Sequence, residues 1–395
     1  MPTLNTPTTY LDHLACSDCH STFSADALHS TCPRCGSPLL VRYDLDTARS
    51  ELDRDQLAAR PDRLWNWREL LPIRDTGHIA DLGEGGTPML RARRFGASLD
   101  LPDVWIKDEG FNPTGSFKAR GMAVAVSRAI ELGVREFVVP TAGNAGGAAA
   151  HYAARAGAQA HVYMPQDAPM ANRAECEFAG AEVVLVDGLI NTAGHIAAQH
   201  ARERGWFDLS TLKEPYRVEG KKTIGYEIAH RLGWRAPDVV VYPTGGGTGL
   251  IGIWKAFEEM RTLSWVDGRG PRMIAVQADG CAPVYRAFHA GADRCELWPD
   301  AHTKAAGLRV PKPFADKLIL ATLRESGGTV VVVSDDDMRR AQSDLGRREG
   351  ISACLEGAAT TAALERLLRA GHIRSGECVV CLNTGTHLKE PPIVQ

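Results

Sequence analysis

From about residue 100 onward, short β-branched runs alternate with alanine-rich amphipathic stretches, and no other feature of the chain restricts its fold as much. Such alternation predicts parallel sheets covered by helices, an α/β class. The runs starting at Trp105, Phe137, His161, Glu182, Asp238, Met273, Thr329 and Cys378 are the expected strands. They are continuously apolar, as strands buried on both faces are. Helices are expected at 118–132, 145–156, 170–180, 191–204, 221–233, 249–261, 335–348 and 356–370. A length of 395 residues suits two or three domains with their own cores.

Composition matters here for what it excludes. No stretch of about 18 uncharged apolar residues occurs, so a membrane span is not expected. The first twenty residues hold Asp12, His13 and Asp18 and no basic segment leading into an apolar one. A secretory signal is therefore not expected, and the cytoplasm is the expected compartment. A net charge of -3 gives no global field to gather polyanions, which argues against nucleic acid as a partner.

The N-terminal arm carries a separate signal. Cys16-x2-Cys19 and Cys32-x2-Cys35 are two knuckles separated by twelve residues, a spacing that can close four thiolates around one tetrahedral zinc. Gly36 follows the second knuckle and supplies the permissive backbone such turns use. Four protein sulfurs would leave no open coordination position, so the expected metal is structural. Cys176, Cys281, Cys295, Cys354, Cys378 and Cys381 are scattered and read as core or surface thiols. Cys378 and Cys381 have CxxC spacing, but along a strand that separation sends the two side chains to opposite faces.

Four further segments carry chemistry. Asp108-Glu-Gly-Phe-Asn-Pro-Thr-Gly-Ser-Phe-Lys118 is a loop of turn formers ending on a lysine at a helix start. Partial burial beside Phe117 would lower the proton affinity of that amine and make it a nucleophile. Gly245-Gly-Gly-Thr-Gly249 lies between an expected strand and an expected helix, where glycines let N–H groups converge on a phosphate. It fits neither nucleotide fingerprint, so a single compact phosphate is the expected ligand. Pro140-Thr-Ala-Gly-Asn144 repeats the strand-to-helix setting, with an amide that could reach a ring oxygen or a carboxylate. Asn383-Thr384-Gly-Thr follows a late strand. All of these loops are expected at the carboxyl ends of strands, where open α/β sheets bind ligands.

Taken together, EGGTPM at 84–89, NPTGSFKARG at 112–121 and EGKKTIGYEI at 219–228 resemble the blocks of the threonine synthase group within the fold-type II pyridoxal 5'-phosphate (PLP) enzymes. The resemblance runs from about Glu84 to the C-terminus, and some members of the group carry a similar cysteine ribbon. It implies two open, mainly parallel sheets, with a zinc-ribbon-like segment at 1–48. It also implies a large α/β domain at 49–115 and 213–395 and a small one at 116–212. Lys118 would form the Schiff base with PLP and shuttle protons, beside Phe117. Asn144 would hydrogen-bond the ring hydroxyl, and Gly245, Gly246, Gly247, Thr248 and Gly249 would cradle the phosphate. Thr384 would face the ring nitrogen, where a hydroxyl does not favour protonation and so tunes the cofactor towards elimination. A small amino-acid substrate and a homodimer are likewise implied.

This sequence also departs from the group. Threonine synthases usually place hydroxyl residues on both sides of the Gly-Asn pair, where Ala142 and Ala145 stand here. Their Asn-Ser-x-Asn-Pro is replaced by Thr211-Leu-Lys-Glu-Pro215. Each donor lost to a dianion costs on the order of 1.5–3 kcal/mol unless replaced. The expected reaction is loss of phosphate from O-phosphohomoserine with water addition to give threonine. A serine or threonine ammonia-lyase and a cysteate-synthase-like β-replacement stand as alternatives. In another class stands a zinc-ribbon interaction protein with an inactive body.

Overall fold

The computed structural model describes residues 8–188 and 190–389, so the first seven residues of the expected ribbon segment, Leu189 and the last six residues of the chain lie outside the described residues. The strands are β1 (Leu11–Cys16), β2 (Thr22–Ser24), β3 (Leu39–Tyr43), β4 (Met89–Arg91), β5 (Val104–Asp108), β6 (Glu136–Pro140) and β7 (Gln159–Pro165). They continue with β8 (Glu182–Val186), β9 (Phe207–Asp208), β10 (Val239–Pro243), β11 (Arg272–Ala278), β12 (Thr329–Val333) and β13 (Val379–Asn383). The chain divides into two compact units, one of Met1–Gly86, Lys118–Thr223 and Glu259–Trp265, the other of Thr87–Phe117, Ile224–Glu258 and Val266–Gln395.

The first unit holds a small antiparallel sheet in the order β2-β1-β3 and a parallel sheet in the order β8-β7-β6-β9. Val138, Tyr163, Val186, Ala193, Ala197 and Ala201 form a buried cluster between the parallel sheet and helix Ile190–Arg204. The cysteine-bearing arm is fastened to helix Lys118–Glu131 by Arg128. The buried guanidinium of Arg128 donates to the carbonyl of Ala25 at 2.8 Å and to Asp26 at 3.2 Å. Arg74 reaches the same Asp26 at 2.6 Å. Helix Lys118–Glu131 and helix Arg217–Arg231 cross with backbones in contact, since a Cβ on Gly220 would lie 1.9 Å from the carbonyl oxygen of Arg120.

The second unit is built on a six-stranded sheet, β12-β11-β10-β13-β5-β4, parallel except for β4 at the edge. Its central strands are buried along their whole length, as their apolar sequences predict. Register places Val241 opposite Cys381 and Asn383 opposite Asp108, so β10, β13 and β5 end at one level. Cys381 is buried in β13 and its thiol is pushed up to about 12 by burial, as befits a packed core thiol. Among the described residues, no helix is long and apolar enough to cross a membrane.

Candidate active site

Within the second unit, three segments meet at the carboxyl ends of β5, β10 and β13. The Phe117 N–H donates to the carbonyl of Thr384 at 2.9 Å, and Ser116 bridges to Gly385, so the loop preceding Lys118 is sewn to the end of β13. Phe117 lies edge-on to Tyr242 of β10, with 6.3 Å between ring centres. The glycine loop then opens helix Thr248–Thr262.

Packing dictates the glycines of that loop. A Cβ on Gly245 would sit 2.2 Å from the carbonyl oxygen of Gly307, and one on Gly249 2.1 Å from the Tyr242 hydroxyl. Gly247 has φ +76°, and its Cβ position is 2.4 Å from Ile319. With side chains shut out, the loop presents backbone. The N–H groups of Gly245, Gly246 and Gly247 find no protein acceptor among the described residues. Unpaired donors at a helix N-terminus are the donor set a single phosphate requires.

In the first unit, Lys118 and Asn144 are each the first residue of a helix and each half-buried. The Asn144 side-chain amide makes no hydrogen bond to the protein among the described residues. Its loop is held by the Thr141 hydroxyl, which accepts from Gly143 N–H at 3.1 Å, and by Asn172, which donates to the Ala142 carbonyl at 2.8 Å. Ala142 and Ala145 offer no hydroxyl here.

A charged residue missed by motif reading, Arg217, lies one turn along from Lys118, and a second, Glu214, is hydrogen-bonded to the Arg217 N–H. A Cβ on Gly121 would be 3.3 Å from Cβ of Arg217. Arg217 is buried, donates to the Leu209 carbonyl at 2.5 Å, and its Nε has no partner among the described residues. Glu214 is buried too. One carboxyl oxygen accepts from the N–H groups of Tyr216 at 2.7 Å and Arg217 at 3.0 Å, while the other has no partner among the described residues. Burial pushes the Glu214 carboxyl up to about 7, against the pull of Arg217. Burial likewise lowers Arg217. In sequence, Glu214 registered only as part of a departure, although two charges just before EGKKT were a usable signal.

The recognised blocks also prove to be anchors. Glu84 accepts from the Trp65 indole at 2.8 Å and the Tyr152 hydroxyl at 2.7 Å, and burial raises its proton affinity. In the second unit, Lys107 pairs with Glu227 at 2.6 Å and donates to the Thr87 carbonyl at 2.7 Å, while the Thr87 hydroxyl donates to Glu109 at 2.6 Å. A lost partner in either group would strand a buried charge.

The four N-terminal cysteines come together. Their sulfurs lie within 4.8 Å of one another, with Cys16 and Cys35 at 3.4 Å and Cys19 and Cys32 at 3.7 Å. Tetrahedral zinc with bonds of about 2.3 Å sets sulfurs about 3.8 Å apart. The N–H groups of Asp18 and Cys19 both point at the Cys16 sulfur at 3.4 Å, as donors to a thiolate do.

Known proteins resemble this chain along most of its length. The family described as pyridoxal-phosphate dependent enzyme matches residues 80–385. A threonine synthase of Methanocaldococcus jannaschii is 35% identical over 377 residues, covering 95% of this chain and 92% of its own. One of Methanosarcina acetivorans is 34% identical over 383 residues, covering 97% and 93%. Among solved structures, maize serine racemase superposes with a TM-score of 0.66 at 22% identity, covering 76% of this chain and 88% of its own. The processed threonine deaminase isoform 2 of Solanum lycopersicum gives 0.65 at 23%, covering 76% and 83%. At these identities the structural likeness speaks for the fold.

Proposed function

Because the chain belongs to the pyridoxal-phosphate-dependent enzyme family and is a lyase, we propose that it acts as a threonine synthase, releasing phosphate from O-phosphohomoserine and adding water to give threonine. The similarity to threonine synthases over nearly the whole chain carries this reading. When bound, PLP supplies an electron sink that acidifies the Cα hydrogen of an amino acid and opens β- or γ-elimination.

The chain's own residues divide the work. Lys118 Nζ would hold the cofactor and, once displaced by substrate, take and return the Cα proton. Gly245 to Gly249 would hold the phosphate through N–H groups that, at Gly245, Gly246 and Gly247, have no protein acceptor among the described residues. Asn144 brings an uncommitted amide for the ring hydroxyl, Phe117 an apolar ring, and Thr384 a hydroxyl for the ring nitrogen.

Ala142 and Ala145 favour a second reading, an ammonia-lyase for serine or threonine, because neither supplies a hydroxyl for a second phosphate. One assay separates the two. Purified protein is given O-phosphohomoserine, O-phosphoserine, threonine and serine in turn, beside Lys118→Ala. Phosphate and threonine from O-phosphohomoserine are expected, with a visible cofactor band that Lys118→Ala loses. Ammonia from threonine or serine without phosphate release would move the assignment to the ammonia-lyase.

Cys16, Cys19, Cys32 and Cys35 are proposed to hold one structural zinc, on the strength of their sulfur spacing. One metal equivalent per chain, lost with Cys16→Ser and with chelation, is the expected result by mass spectrometry. A homodimer in the cytoplasm is proposed from the family resemblance, and light scattering tests the stoichiometry.

A further inference from the structure

Thr384 is not alone at the end of β13. Cys354 is the N-cap of helix Leu355–Ala362, and its sulfur accepts from the Gly357 N–H at 3.2 Å. The same sulfur lies 3.5 Å from the Thr384 hydroxyl and 3.6 Å from Oδ1 of Asn383. The Cys354 N–H donates to that Oδ1 at 3.2 Å and to the Gly385 carbonyl at 3.0 Å. Asn383 in turn donates to Asp108 at 2.6 Å, which fixes its amide with nitrogen towards the carboxylate and oxygen towards Cys354. A Cβ on Gly357 would strike Asn383 Oδ1 at 2.1 Å, so the first turn of the helix rests directly on the strand end. Cys354 and Thr384 are both buried.

A thiol is a weak choice for a helix cap, where serine, threonine, aspartate and asparagine are preferred. What sulfur adds at this point is a proton to give. Its acceptor side faces Gly357, and its S–H has two oxygens in reach, Thr384 at 3.5 Å and Asn383 Oδ1 at 3.6 Å, the second of which also accepts from the Cys354 backbone. We propose that Cys354 is a positioning residue that donates its S–H to the Thr384 oxygen, leaving the Thr384 proton to point at the ring nitrogen of the cofactor. A hydroxyl so oriented donates and meets an unprotonated nitrogen. An aspartate cap would accept the Thr384 proton and reverse that polarity. This inference rests on the reading that Thr384 faces the ring nitrogen.

The test uses the PLP-loaded protein and three variants, Cys354→Ala, Cys354→Ser and Thr384→Val. It reads the visible absorbance band, its pH profile and the PLP dissociation constant. Thr384→Val and Cys354→Ala are expected to displace the band and its pH profile in the same direction. Cys354→Ala should also weaken PLP binding about two- to tenfold, the worth of one hydrogen bond. Cys354→Ser keeps both cap and proton and should retain the wild-type band. A displaced band in Cys354→Ser overturns the proposal by itself, even where Cys354→Ala fails to fold. A Cys354→Ala protein that melts earlier but keeps the wild-type band and pH profile reduces Cys354 to a helix cap. An unchanged band in Thr384→Val instead removes the underlying reading of Thr384.

Discussion

The loops after β6 and after β10 share a local plan, strand, glycine turn and helix N-terminus, yet they use glycine in opposite ways. Around Gly143 there is open space, and its φ of -140° is one that any residue adopts. The role proposed for that loop rests on the side chain of Asn144. Around Gly245, Gly247 and Gly249 the protein itself occupies every Cβ position. The role proposed for that loop rests on its backbone. Two glycine turns that look alike in sequence therefore respond differently to substitution.

The largest expected effect is at Gly247. Gly247→Ala puts a Cβ at φ +76° against Ile319, and should cost about 2–4 kcal/mol of stability and abolish PLP retention on gel filtration. A well-folded variant with normal PLP content would break the comparison. Next comes Glu214. Its folded value of about 7 stands above an unfolded value of about 4.3, so the stability it contributes is full below about pH 4.3 and lost as pH rises through about 7. Glu214→Gln should therefore outlast wild type in denaturant above neutrality by a few kcal/mol, with the gap closing in acid. Parallel pH curves would show that the carboxyl is not held neutral.

Asn144→Ala should weaken PLP binding about tenfold, as one lost hydrogen bond would, while leaving the melting temperature in place. A fall in melting temperature instead would make Asn144 a structural residue. The smallest effect is reserved for Gly143→Ala, with a stability change within about 0.5 kcal/mol, because no atom stands where the methyl would go. If it destabilises as much as Gly247→Ala, the two loops do not differ.

Much of this was legible in the sequence. The eight expected strands are present, and helix starts such as Lys118, Asn144 and Thr248 fall within a residue of expectation, since strongly periodic segments announce themselves. The three-residue β4 and two-residue β9 are too short to carry a period, and β1 to β3 are an antiparallel arm defined more by its cysteine turns than by its strands. Helices Pro283–His289 and Asp316–Glu325 also escaped, the first being barely two turns long.

Local pattern by itself determined the α/β alternation, the four-sulfur cluster, the lysine at a helix start and the glycine loop at a strand end. Each needs only neighbours in the chain: knuckle turns converge thiols, and a helix N-terminus leaves its N–H groups unpaired. Tertiary structure alone decided which glycines are compulsory, that Glu84 and Lys107 are buried anchors, and that Arg217 lies against the lysine helix with Glu214 hydrogen-bonded to its N–H. It also set Cys354 against Thr384. Those relations follow from sheet order and helix crossing, because β10-β13-β5 adjacency and the Gly121–Arg217 contact join segments that no local periodicity connects.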